Sequence, residues 1–183
     1  MINYLYEHNV VTGLIWESEN TEGNSRNYQL WLNKVRRTHS QLVYTTSDGG
    51  LLKGYSDKKL AELEPFAIHV RSEFGDGIYY FTASKEVDDV YFLVVNEDRI
   101  VSGSDRIVKK GFFDALMHDF SEGALSHLNV RELQRPWIEH ISSLCQQRQV
   151  IIKRKQKLFI IGVTAVGVFL LALMAVLLNM MLS

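Results

Sequence analysis

The sequence has two prolines and one cysteine in 183 residues. So few prolines exclude a proline-rich spacer or recognition segment. The lone Cys145 excludes an intrachain disulfide and suits a reducing compartment. No low-complexity tract is present. The opening Met1-Ile2-Asn3-Tyr4 has neither the basic start nor the apolar stretch of a signal peptide. The most consequential absence is local: no charged residue occurs between Leu158 and Met181. A bilayer core is crossed by roughly 20 apolar residues in a helix, and LFIIGVTAVGVFLLALMAVLLNMM supplies them. Such a run is too long and too uniformly apolar for a buried core helix.

Phosphate-loop and metal motifs are missing as well. There is no GxxxxGK[ST] stretch. Gly49-Gly50-Leu51-Leu52-Lys53-Gly54 has its glycines and lysine in the wrong order and reads as a hairpin turn. Gly75-Asp76-Gly77 and Ser102-Gly103-Ser104-Asp105 could each line a phosphate pocket, but turns with this composition are far commoner. The six histidines form no HxxxH or HExxH pair, and Cys145 has no cysteine partner, so the usual four-ligand zinc set is not legible. Asp88 with Asp89, and Asp114 with Asp119, read as solvated faces; no environment separates an acid from a base. His140 and Cys145 are five apart on one expected helix and fall on different faces. Catalytic, metal and cofactor residues are therefore expected to be none, although nucleotide binding without hydrolysis stays open.

What is present divides by charge. Five of the 20 basic residues lie from Arg148 onward, so residues 1–147 hold 15 basic against 21 acidic groups, a net charge of −6. An acidic body is a poor general binder of nucleic acid. The basic collar Lys153, Arg154, Lys155 and Lys157 stands just before the apolar run, and nothing charged follows it. Basic flanks stay cytoplasmic. The expected topology is a cytoplasmic N-terminal domain, residues 1–135, and a helical stalk with its collar, residues 136–157. A single transmembrane helix, residues 158–182, completes it. The end at Ser183 fits either a tail-anchored protein or a piece of a longer bitopic one. Gly162 and Gly167 are five apart and form no GxxxG dimer motif; a homodimer is compatible with the span but not specified by it.

The patterning predicts an α/β domain. Val10–Trp16 reads as a first buried strand, with Gly13 at a bulge or close approach. Glu17–Ser25 is a loop ending in a Ser25 N-cap, and Arg26–Arg37 is a helix with a buried stripe and a solvated basic end. Gln41–Thr46 and Leu51–Tyr55 form a hairpin around Ser47-Asp48-Gly49-Gly50. A short helix is expected from Ser56 to Leu63, stopped by Pro65. Phe66–Phe74 is ambiguous between helix and strand. Ile78–Ala83, Val90–Val95 and Arg99–Ser102 read as an antiparallel meander with a buried middle strand. Gly111–Phe120 is an amphipathic helix with Gly123 in its C-cap region. Pro136 opens a final helix that runs without Pro or Gly from Trp137 to Lys157, a stiff stalk rather than a floppy linker.

Gly13-Leu14-Ile15-Trp16 is similar to the GL-x-W opening of pilin accessory proteins of the PilO/BfpC type, from type IVb pilus systems. Ile78-Tyr79-Tyr80-Phe81 resembles that family's aromatic strand. Arg99-Ile100-Val101-Ser102-Gly103-Ser104-Asp105-Arg106-Ile107-Val108 resembles its strand-turn-strand. The sequence departs from the pattern at Arg99, where a Gly is expected, and at Ser104, which separates Gly103 from Asp105. The resemblance implies a truncated actin-like (ribonuclease H-like) domain related to the cytoplasmic domains of GspL and PilM. It implies no catalysis. The implied partners are the cytoplasmic assembly ATPase and the polytopic inner-membrane platform, joined by a bitopic scaffold whose family also has a periplasmic part. In actin-like nucleotide-binding domains the opening turn carries an acid before its Gly; Thr12-Gly13-Leu14 has none. The alternative class is a membrane-anchored sensor or regulator with a cytoplasmic output domain, for which Arg26–Arg37 is the one candidate recognition helix.

Overall fold

The structure is a computed structural model that describes residues 1–17, 25–46, 49–58, 63–84 and 86–182. It is mixed α/β, and the chain divides into two units, Met1–Gln146 and Gln147–Ser183. The elements of the first unit, in order, are α1 (Ile2–Glu7), β1 (Val10–Val11), β2 (Ile15–Trp16), α2 (Arg26–Thr38), β3 (Ser40–Thr45), β4 (Leu51–Ser56), β5 (Glu64–Pro65) and α3 (Phe66–Phe74). There follow β6 (Gly77–Ser84), β7 (Asp89–Asn96), β8 (Arg99–Ile100), β9 (Arg106–Lys109), α4 (Lys110–Glu122) and β10 (Val130–Glu132). The last helix, α5 (Arg135–Leu182), begins in the first unit and runs through the second.

The main sheet is built around β7. Its sequence, DVYFLVVN, is apolar throughout its middle because both faces are covered. Tyr91, Leu93 and Val95 enter one core, with Phe66, Ala67, Ile68 and Val70 of α3 and with Ile138, Ile141 and Cys145 of α5. Val90, Phe92 and Val94 point the other way, into a second core with Phe113 of α4 and Leu128. Successive side chains of a strand alternate faces, so a strand between two helical layers has no polar side to show. β6 pairs antiparallel with β7 along most of its length. The short β8, along Val95–Asn96, and β9, along Asp89–Phe92, share the other edge of β7, both antiparallel. On the far side of β6 lies β10, and that pairing is parallel. The third strand expected over Arg99–Ser102 is only Arg99–Ile100; the edge breaks at Val101–Asp105 and resumes as β9.

A smaller antiparallel sheet, in the order β2-β4-β3, packs α2 through Leu32, Val35 and Tyr55. Gly54 of β4 lets the Trp16 ring lie on the strand: a Cβ there would stand 2.9 Å from that ring. The expected strand Val10–Trp16 is corrected to two pieces in different sheets. β1 pairs parallel with β5, and β2 pairs antiparallel with β4. Gly13, at φ 81°, turns the chain between them. Ser25 caps α2 as expected, its Oγ accepting from the Tyr28 N–H at 3.2 Å. Most of the Glu17–Ser25 loop, the Ser47-Asp48 half of the hairpin turn and residues 59–62 of the expected Ser56–Leu63 helix lie outside the described residues, and Ser56 itself ends β4 rather than opening a helix.

In the second unit α5 carries one stretch long and apolar enough to cross a membrane, with none of its most apolar window buried. Lys153, Arg154, Lys155 and Lys157 are all exposed on that helix, ahead of the apolar stretch.

Candidate functional site

The break between β8 and β9 holds the most unusual side chain of the domain. Asp105 is 1% exposed and has φ 56°, a left-handed conformation that Asp tolerates better than most residues. Its Oδ1 accepts from the Gly13 N–H at 3.0 Å and the Tyr91 hydroxyl at 2.7 Å. Its Oδ2 accepts from the Leu14 N–H at 3.0 Å and the Trp16 indole N–H at 2.8 Å. One carboxylate thus ties the turn between β1 and β2 to the centre of β7. A buried charge is tolerated when its lone pairs are filled in this way. The preceding turn is fixed separately: Gly103 has φ 82°, and the Ser104 hydroxyl donates to the Val101 carbonyl at 2.7 Å.

Electrostatically the site is a contest. Burial pushes the Asp105 carboxyl up from 3.8, and the donors at Gly13, Tyr91, Trp16 and Leu14 pull it back, leaving it at about 6. Burial also drives the Tyr91 phenol well above its ordinary 10, with the Asp105 charge adding to the effect. Tyr91 therefore stays a donor at neutral pH while Asp105 is ionised. Replacing Tyr91 with Phe keeps the ring and removes one bond to a charged acceptor. It is expected to cost about 2 kcal/mol, read as a lower urea midpoint with an unchanged slope.

This arrangement bears on the phosphate pockets considered for the two glycine turns. The amides of Gly13 and Leu14 converge as an anion cradle, and the occupant is the protein's own carboxylate. At the other turn Asp76 does the same, accepting from the Glu97 N–H at 2.8 Å and the Asp98 N–H at 2.9 Å. Asp98 in turn receives both Nε (2.8 Å) and Nη2 (3.0 Å) of the buried Arg71. Each of the two glycine turns thus supplies the carboxylate that fills the amides of another turn. Asp105 has every lone pair engaged and no surface, so it is built to hold the fold rather than to transfer a proton.

The remaining candidates are placed apart. Cys145 is fully buried in the main core, whereas His140 lies at the surface with Nε2 3.2 Å from Glu73 Oε1. His69 and Glu64 form a buried pair at 3.2 Å. Among the described residues no three His, Cys, Asp or Glu side chains are grouped to hold a metal ion. Asp114 bonds Lys110 on the exposed face of α4. The role of Asp105 is missed by sequence reasoning, which saw it only as part of a turn. Asp105 joins Gly13–Trp16 to Arg99–Val108, two of the three segments singled out in the sequence. No family model and no curated protein matches the chain.

Proposed function

We propose that the chain is a non-enzymatic inner-membrane scaffold of a type IV pilus or type II secretion-like assembly machine. In this reading its cytoplasmic domain links the assembly ATPase to the polytopic membrane platform. The observation that carries the proposal is the Asp105 tie. Two of the three segments that carry the PilO/BfpC resemblance, Gly13–Trp16 and Arg99–Val108, are distant in sequence yet form one hydrogen-bonded unit, as parts of a shared fold would. The order β8-β7-β6-β10 also supports a truncated actin-like domain. In that order β6, β7 and β8 are antiparallel neighbours, and β10, which follows α4, lies parallel to β6. The apolar stretch of α5 with its basic collar supports a single-pass anchor with the domain on the cytoplasmic side.

The test is co-purification of residues 1–157 with the secretion-type ATPase and with the platform's cytoplasmic domain from the same genome. Co-elution with either is the expected result. A folded preparation that associates with neither overturns the scaffold reading.

A further inference from the structure

Residues 1–147 are acidic, yet α2 is basic. α2 carries Arg26, Lys34, Arg36 and Arg37 and no acidic residue. Arg36 is engaged by Glu17 and by the Tyr55 hydroxyl. The other three are exposed, and among the described residues no carboxylate lies within ion-pair distance of them. Residues three or four apart share a helix face, so Arg26, Leu30, Lys34 and Arg37 form one ridge. That ridge lies opposite the face that buries Leu32 and Val35. Leu30 is 61% exposed in the middle of it, and Trp31, 45% exposed, lies at its flank with its ring 5.7 Å from that of Tyr28.

We infer that this ridge of α2 is a docking surface for anionic lipid headgroups, in the bilayer that the chain's own C-terminal helix enters. The inference rests on that helix spanning a membrane, and on nothing else in the scaffold reading. Basic side chains flanking a leucine and a tryptophan match the chemistry of an anionic headgroup layer, where each cation adds to binding and an aromatic ring sits at the polar–apolar boundary. Charge decides orientation. A domain of net −6 is repelled by an anionic surface except where positive charge is concentrated, and α2, with three exposed cations and no acid, is such a face. Weak docking is enough, because a tether converts it into an intramolecular event at high effective concentration.

The test uses the full chain in nanodiscs with brominated acyl chains, made either of phosphatidylethanolamine with phosphatidylglycerol or of phosphatidylcholine alone. Trp16 is buried and Trp137 is exposed, so the signal of Trp31 is taken as the difference between wild type and W31F. The expected result is quenching of the Trp31 component in the anionic discs. It is lost in phosphatidylcholine, at high salt, and in R26E/K34E/R37E. The charge-neutral R26Q/K34Q/R37Q, which cannot repel, loses it too. Equal quenching in both kinds of disc overturns the proposal, since the cations then contribute nothing. No quenching in anionic discs also overturns it, and would leave α2 free for an acidic protein face instead. Resistance of each sample to alkaline extraction scores integration of the C-terminal helix separately. A chain that never spans is thereby told apart from a helix that never docks.

Discussion

Asp105→Ala is expected to cost the domain about 4 kcal/mol. Domains of this size hold only about 5–15 kcal/mol in all, so the variant stands near unfolding. The reason is that four donors aim at one buried carboxylate. Each donor left without an acceptor keeps its desolvation penalty. Asp105→Asn is the graded control. Its amide oxygen can replace Oδ2, facing the Leu14 and Trp16 donors. Its amide nitrogen must then face the Gly13 N–H, a donor that cannot reverse, and the Tyr91 hydroxyl, which can turn and accept. One bond is lost rather than four, and about 2 kcal/mol is expected.

The same pair of proteins reads the sign of the pH effect. The folded carboxyl at about 6 lies above its ordinary 3.8, so the folded state holds the proton more tightly than the unfolded chain. This group's contribution is therefore full below pH 4 and is lost as pH rises through 6, by about 3 kcal/mol. Asp105→Asn does not titrate. Urea unfolding of residues 1–157 should thus show the advantage of wild type over Asp105→Asn shrinking from pH 4 to pH 7. An advantage that grows instead would mean that the four donors outweigh burial.

Release from the membrane is the second large effect. The uncharged run is worth many times thermal energy as a span, whereas an Arg at its centre costs about 2.5–3.5 kcal/mol. Val166→Arg with Leu170→Arg is expected to abolish retention after an alkaline, high-salt wash, and residues 1–157 should fractionate as soluble. Orientation is a separate readout. Neutralising Lys153, Arg154, Lys155 and Lys157 to Gln should scramble the side on which a reporter fused after Ser183 is found. An unchanged orientation would leave the collar without a topological role.

The legible parts of this fold are those in which local pattern and environment agree. The β3–β4 hairpin, the β6–β7 pair, the Ser25 cap and the apolar stretch of α5 all follow from near neighbours in sequence. Phe66–Phe74 was ambiguous for a physical reason: Phe66 through Arg71 are all buried, so α3 has no polar stripe to reveal its period. β10 could not be seen. Its three residues, Val130, Arg131 and Glu132, are exposed, and it is a strand only because β6 offers an edge. Val10–Trp16 looked continuous because both pieces are apolar; only the positive φ of Gly13 divides them. The Asp105 site was the least legible, since its donors come from the chain's opening turn and from the middle of β7. Nothing near Asp105 in sequence announces either.

The burial of Cys145 has a consequence for chemistry carried out on the protein. The thiol, the only one in the chain, is sealed in the main core beside Ile138 and Ile141. A maleimide meets no reactive thiol while the domain is closed. Its rate of attack becomes a clock for the opening of the first turns of α5 away from the sheet, the event that would have to precede any rearrangement of that end of the domain. A cysteine introduced anywhere on the surface would be modified alone, against a silent background.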